Sequence, residues 1–139
     1  MMQRVPAFSP DWNEGRYFDL WMLVHLLAGI AGGFVNVFTK LTNPQAMLVG
    51  LLLMVVWEIG EFWIGVFETP LNRVIDVVVG LTGVAAALWM APHVAPMVQR
   101  VLFVVITAMA LVGMTLGIRD YQRRKAAAAA AERSENANR

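Results

Sequence analysis

The chain has no cysteine, which excludes disulfides, thiolate metal sites and cysteine nucleophiles. It is also poor in charge. Asp, Glu, Lys and Arg supply 15% of its 139 residues, against ~25% in ordinary soluble domains. A net charge of +1 by itself argues neither for nor against nucleic acid, though no nucleic-acid partner is expected of a chain with this composition. Histidine occurs twice, as His25 and His93; His93 lies between Pro92 and Pro96, in a stretch that reads as a solvated loop. The first fifteen residues contain Pro6, Pro10, Asp11 and Glu14 and no apolar core, so no cleavable leader is expected.

What the chain does have is apolar length. Hydrophobic residues make up 58% of it and mean hydropathy is +0.58, the values of a membrane protein. Four apolar runs, 19–38, 45–67, 73–90 and 97–118, each approach the ~20 residues that cross ~30 Å of hydrocarbon. Their hydrophobicity is continuous rather than alternating, which argues against a transmembrane barrel. Polar turns at 40–44 and 68–72 separate the first three, and at 91–96 two prolines stop one helix and admit the next. The expected fold is all-α: four transmembrane helices in an up-down antiparallel bundle over 19–118.

Basic residues set the orientation. Arg4, Arg16, Arg73, Arg119, Arg123, Arg124, Lys125, Arg133 and Arg139 fall on one side of such a bundle, and only Lys40 and Arg100 on the other. Both termini are therefore expected in the cytoplasm, with the bundle in the plasma (inner) membrane. Residues 1–18 become a cytoplasmic or interfacial segment, where Trp12, Tyr17 and Phe18 join Trp21 in an aromatic belt; Trp89 would anchor the outer surface. Residues 119–139 form a basic, Ala-rich tail. Its run Ala126 to Ala131 favours helix, the end from Ser134 reads as disordered, and its Arg and Lys cluster suits anionic lipid headgroups.

Four ionisable side chains interrupt the apolar runs: His25, Glu58, Glu61 and Asp76. A charge in hydrocarbon costs at least ~2.5–3.5 kcal/mol, so such residues face inward and mark function by default. At ~1.5 Å per residue, His25 lies ~9 Å into its helix, Glu61 and Glu58 ~9 and ~14 Å from the same side, and Asp76 ~5 Å. An antiparallel bundle thus gathers all four in one half of the membrane, as one polar pocket. Small residues share their faces. His25, Gly29, Gly32 and Asn36 align, with Gly33 beside them; Gly65 continues the Glu58–Glu61 face; Asp76, Gly80, Gly83 and Ala87 align on the third helix. Those six glycines are the expected packing residues. The fourth run carries no charge after Arg100 and one small edge, Gly113 and Gly117, and reads as a lipid-facing wall or docking surface.

Three carboxylates and an imidazole allow several chemistries. His25, Glu58, Glu61 and Asp76 would suit a divalent metal, the oxygens favouring Mg, Ca or Mn and the imidazole admitting Zn or Fe. Glu58-x-x-Glu61 is not the Glu-x-x-His pair of di-iron bundles, however. Close carboxylates also hold or relay protons, and Glu with His can act as general acid and base on a headgroup. A purely structural role is open too: a protonated Glu can hydrogen-bond across helices, and Asp76 can pair with Arg73 at i−3. Trp57, Phe62 and Trp63 beside the glutamates read as lipid contacts.

The run Trp57-Glu58-Ile59-Gly60-Glu61-Phe62, followed by Asn72-Arg73-Val74-Ile75-Asp76-Val77-Val78-Val79-Gly80-Leu81-Thr82-Gly83, resembles the VanZ-like family of small membrane proteins. That family has a glutamate in one helix and Asp-x-x-x-Asn-x-x-Gly opening the next. Glu58 or Glu61 would match the glutamate, Asp76 the aspartate and Gly83 the glycine, with Gly80 in place of the Asn. The resemblance implies an envelope role, in binding or processing a lipid or lipid-linked headgroup. Two other function classes stand beside it: a noncatalytic accessory subunit of a larger membrane complex, and a component of a proton or cation pathway. Expected partners are membrane lipids, other membrane subunits or further copies of the chain.

Overall fold

A computed structural model describes residues 9, 12, 19–64 and 69–137. Gly65, Tyr17, Phe18, most of segment 1–18 and residues 138–139 lie outside the described residues.

Three of the helix starts follow from their capping chemistry. Asp19 precedes α1 (Leu20–Phe34), and its carboxylate accepts from the backbone N–H of Trp21 at 3.0 Å and of Met22 at 3.3 Å. The ladder breaks at Val35, and α2 (Asn36–Thr39) completes the span. The sequence predicts one unbroken helix to 38; the Gly32-Gly33 pair just before the break accounts for the difference. Lys40 ends α2 in the left-handed region at φ 54°. The Asn36 amide donates to the Leu41 carbonyl at 2.9 Å.

Gln45 reaches back to Thr42 at the start of α3 (Asn43–Ile64), the Thr42 N–H and hydroxyl both donating to Gln45 Oε1 at 2.9 Å, the return half of a capping box. Thr69 caps α4 (Pro70–Met90) through the Asn72 N–H, with Pro70 in the first turn. This cap starts the helix three residues before the expected 73. A 3₁₀ turn, Ala91–His93, follows. The Gln99 amide secures it by donating to the carbonyls of Ala91 and Val94, both at 2.7 Å.

The last helix, α5 (Pro96–Ala137), has 42 residues and is therefore ~63 Å long. It stays helical where the sequence suggests disorder after Arg133. Alanine propensity and the Asp120–Arg124 ion pair at i, i+4, 2.9 Å, favour this continuation.

The architecture is all-α, with four spans long and apolar enough to cross a membrane and no strand among the described residues. The spans alternate in direction: the end of α3 and the start of α4 meet the start of α1. Phe38 packs edge-on against Phe103 near the start of α5, ring centroids 5.6 Å apart. Packing follows the order α3, α4, α1, α5. The tightest seam joins α1 to α4, which run parallel, rather than two spans consecutive in the chain.

Glycine explains that choice. His25, Gly29 and Gly33, four apart, form the stripe of α1 that faces α4. A Cβ on Gly29 would collide with the Gly80 carbonyl oxygen, and one on Gly33 would lie 2.5 Å from Ala87 Cβ. A Cβ on Gly83 would lie 2.5 Å from the Leu26 carbonyl oxygen, while Gly80 faces Met54 of α3. Gly32 is a correction. A Cβ there would meet nothing within 4 Å among the described residues, because the seam follows the i, i+4 ridge and leaves the i+3 position outside. Beyond the glycines the core is small: Phe34, Val84 and Ala87 are all but fully buried, and Val84 packs with Ala46 and Leu88. Large aliphatic residues such as Leu52, Leu53, Val104 and Val112 point outward, as lipid-facing side chains do.

Candidate functional site

His25 stands in the second turn of α1, Glu58 and Glu61 in the last turns of α3, and Asp76 in the second turn of α4. They are 3%, 7%, 5% and 0% exposed, so all four turn inward. His25 Nε2 lies 3.1 Å from Glu58 Oε1, and His25 Nδ1 lies 3.9 Å from Asp76 Oδ1. Ligating atoms of His25, Glu58 and Glu61 all fall within 4.8 Å of one another. Three helices thus deliver four ionisable groups to one point.

Neighbouring side chains hold these groups in place. The Trp21 carbonyl lies 2.9 Å from His25 Nδ1; a carbonyl only accepts, so Nδ1 carries the proton and Nε2 presents a lone pair when the ring is neutral. The Trp57 indole N–H donates to Glu61 Oε1 at 2.8 Å. Asn72, 1% exposed, donates from its amide to Asp76 Oδ2 at 3.2 Å and to Asp19 Oδ2 at 3.3 Å. One amide therefore ties the cap of α1 to the acid of α4.

Sequence reasoning missed all three supports. Asn72 lay in a presumed turn, Asp19 looked like a span boundary, and Trp57 read as a lipid contact. The i, i+4 spacings of Asn72 to Asp76 and Trp57 to Glu61 were the available signals. Arg73, the partner considered for Asp76, instead lies over the Phe62 ring at 5.3 Å. Trp63, 82% exposed, faces outward.

The cluster has a polar surplus. His25 Nε2, both oxygens of Glu58, Glu61 Oε2 and Asp76 Oδ1 are buried and hydrogen-bond to nothing among the described residues. The 3.1 Å approach of His25 to Glu58 lacks hydrogen-bond alignment. Each unsatisfied buried polar atom costs ~1–3 kcal/mol, and all of these are acceptors apart from whatever protons the carboxyls hold. The arrangement calls for positive charge: protons, a cation, or a ligand's donors.

Beside the cluster a groove of about 550 Å³ runs between α3 and α4, lined by Val55, Ile59, Phe62, Val74, Val77 and Val78, with Glu58 and Arg73 as its polar members. It can take an apolar chain along its length and a charged group at its Arg73 end. Comparison with protein-family models, curated proteins and solved structures finds no match.

Proposed function

We propose that this membrane protein binds an anionic lipid or lipid-linked headgroup in the α3–α4 groove, with the His25–Glu58–Glu61–Asp76 cluster acting on or sensing that group. The carrying observation is the groove itself, which puts valine and isoleucine walls, a guanidinium and a buried carboxylate on one surface. Arg suits phosphate through paired charge-assisted N–H donors. Glu58 lines the groove and also touches His25, so a bound headgroup would have acid–base groups at hand. The VanZ-like pattern at Glu58, Glu61 and Asp76 agrees with an envelope role, and the excess of Arg and Lys on one side supports a plasma (inner) membrane location with both termini cytoplasmic.

The test is purification in mild detergent followed by mass spectrometry of retained lipids. A phosphate-bearing lipid should copurify with the wild type. Arg73→Gln should reduce its retention about tenfold or more, given ~1.5–3 kcal/mol for a hydrogen bond to a charged group. Val78→Trp should block the groove, whereas Val104→Trp on α5 should change nothing. Equal lipid content in all four proteins would overturn the reading.

The accessory-subunit reading draws on α5, whose apolar surface is largely uncovered. A membrane protein that copurifies with the wild type and is lost with Leu111→Arg would favour it. A proton or cation pathway has less support, because the Gly29–Gly80 contact and buried Phe34, Val84 and Leu88 close the seam beyond His25.

A further inference from the structure

The unpartnered acceptors point to a more definite occupant. With Nδ1 committed to the Trp21 carbonyl, His25 Nε2 offers a lone pair toward Glu58, whose two oxygens have no hydrogen-bond partner among the described residues. Glu61 adds Oε2, also buried and unpartnered, while its Oε1 is held by Trp57. Each proton held here joins at most two of these acceptors, whereas one ion would engage all three side chains at once.

We infer that His25 Nε2, Glu58 and Glu61 form a site for a divalent transition-metal ion, with Zn²⁺ the best match. Two carboxylates neutralise the ion's charge, which matters in hydrocarbon. Around Zn²⁺, bonds of ~2.0–2.1 Å place tetrahedral ligand atoms ~3.3 Å apart. The 3.1 Å between Nε2 and Glu58 Oε1 already fits one edge, and the full set lies within 4.8 Å before any ion draws it in.

The surroundings match as well. Metal-binding histidines commonly donate their second N–H to a carbonyl or carboxylate, as His25 does to Trp21, and Trp57 orients Glu61 in the same way. Asp76, with Oδ2 held by Asn72 and Oδ1 3.9 Å from His25 Nδ1, places a further acceptor behind the imidazole. The nitrogen ligand discriminates against Mg²⁺ and Ca²⁺.

Three protein ligands leave a coordination position open, as in catalytic zinc sites. Glu58 also lines the α3–α4 groove, so an oxygen of a phosphate-bearing ligand is the natural fourth donor. That last step rests on the lipid-headgroup reading; the metal site does not.

Chelator-stripped full-length protein in mild detergent should bind one Zn²⁺ per chain by calorimetry, undisturbed by excess Mg²⁺. Co²⁺ should give the intense visible absorption of a low-symmetry site. His25→Gln and Glu61→Gln should abolish uptake. Trp57→Phe keeps every ligand and should weaken uptake roughly 10–100-fold, and His93→Gln should leave it unchanged. X-ray absorption on the wild-type Zn²⁺ complex should show one imidazole among oxygen ligands, a readout that needs no variant to fold. Absence of stoichiometric uptake, equal uptake in His25→Gln, or a zinc shell without imidazole would each overturn the site. Zinc uptake without lipid retention would support the site and overturn the headgroup reading; lipid retention without zinc uptake would do the reverse.

Discussion

The third and fourth spans are both strongly apolar, yet the structure uses them in opposite ways. The most apolar 18 residues of α4 have a mean hydropathy of 2.0 and are 33% buried; those of α5 reach 2.5 and are 11% buried. The more hydrophobic stretch is the less buried one. In water that would be perverse. In lipid, acyl chains solvate leucine and valine as well as another helix does, so association rests on close backbone approach and polar contact. The buried stripe of α4 is Asn72, Asp76, Gly80, Gly83, Val84, Ala87 and Leu88, largely small or polar residues. The glycines of α5 that make close approaches are Gly113, against Val24, and Gly117, against Trp21 and Trp12. Between α1 and α5 lies an apolar gap of about 610 Å³, lined by Leu23, Leu27, Val105 and Met109 among others.

Breaking the small-residue seam should have the largest effect. Gly29→Leu drives a side chain into the Gly80 backbone and should cost about 3 kcal/mol or more, measured by unfolding in mixed micelles. Gly32→Leu, one turn along but outside the seam, is the control and should be nearly neutral. Loss of the polar tie comes next. Asn72→Ala removes the amide that bonds Asp19 and Asp76 and should cost ~1–3 kcal/mol.

Smaller effects sharpen the contrast from the α5 side. Gly117→Ala places a methyl 2.6 Å from Trp21 Cζ2 and 2.7 Å from Trp12 Cε3. Side chains can shift where backbone cannot, so about 1 kcal/mol is expected, with a change in tryptophan emission. Leu111→Ala, on the exposed face of α5, should stay within ~0.5 kcal/mol. A large loss at Leu111 would mean that α5 is covered by a partner under the conditions of measurement.

The same physics decides what the sequence could reveal. Four spans follow from hydropathy and proline placement. The convergence of His25, Glu58, Glu61 and Asp76 needed only helical rise and alternating direction, so it was legible before any coordinates. Helix pairing was not: short loops suggested consecutive partners, whereas the matched glycines of α1 and α4 prevail. Choosing Gly33 over Gly32 requires the local crossing geometry, which periodicity does not supply. Trp57 shows another gap, since an aromatic ring at the lipid face can still turn its one N–H inward to Glu61. The helical end of α5 reflects alanine-rich composition outweighing polar residues that resembled a disordered tail.

The parallel seam also carries a consequence for synthesis. The groove for α1's glycines is provided by α4, so the ribosome must finish α3 and much of α4 before α1 can dock. Until then the nascent protein holds a bare glycine ridge in the bilayer without its final companion. The timing of translation thereby becomes part of how this protein assembles.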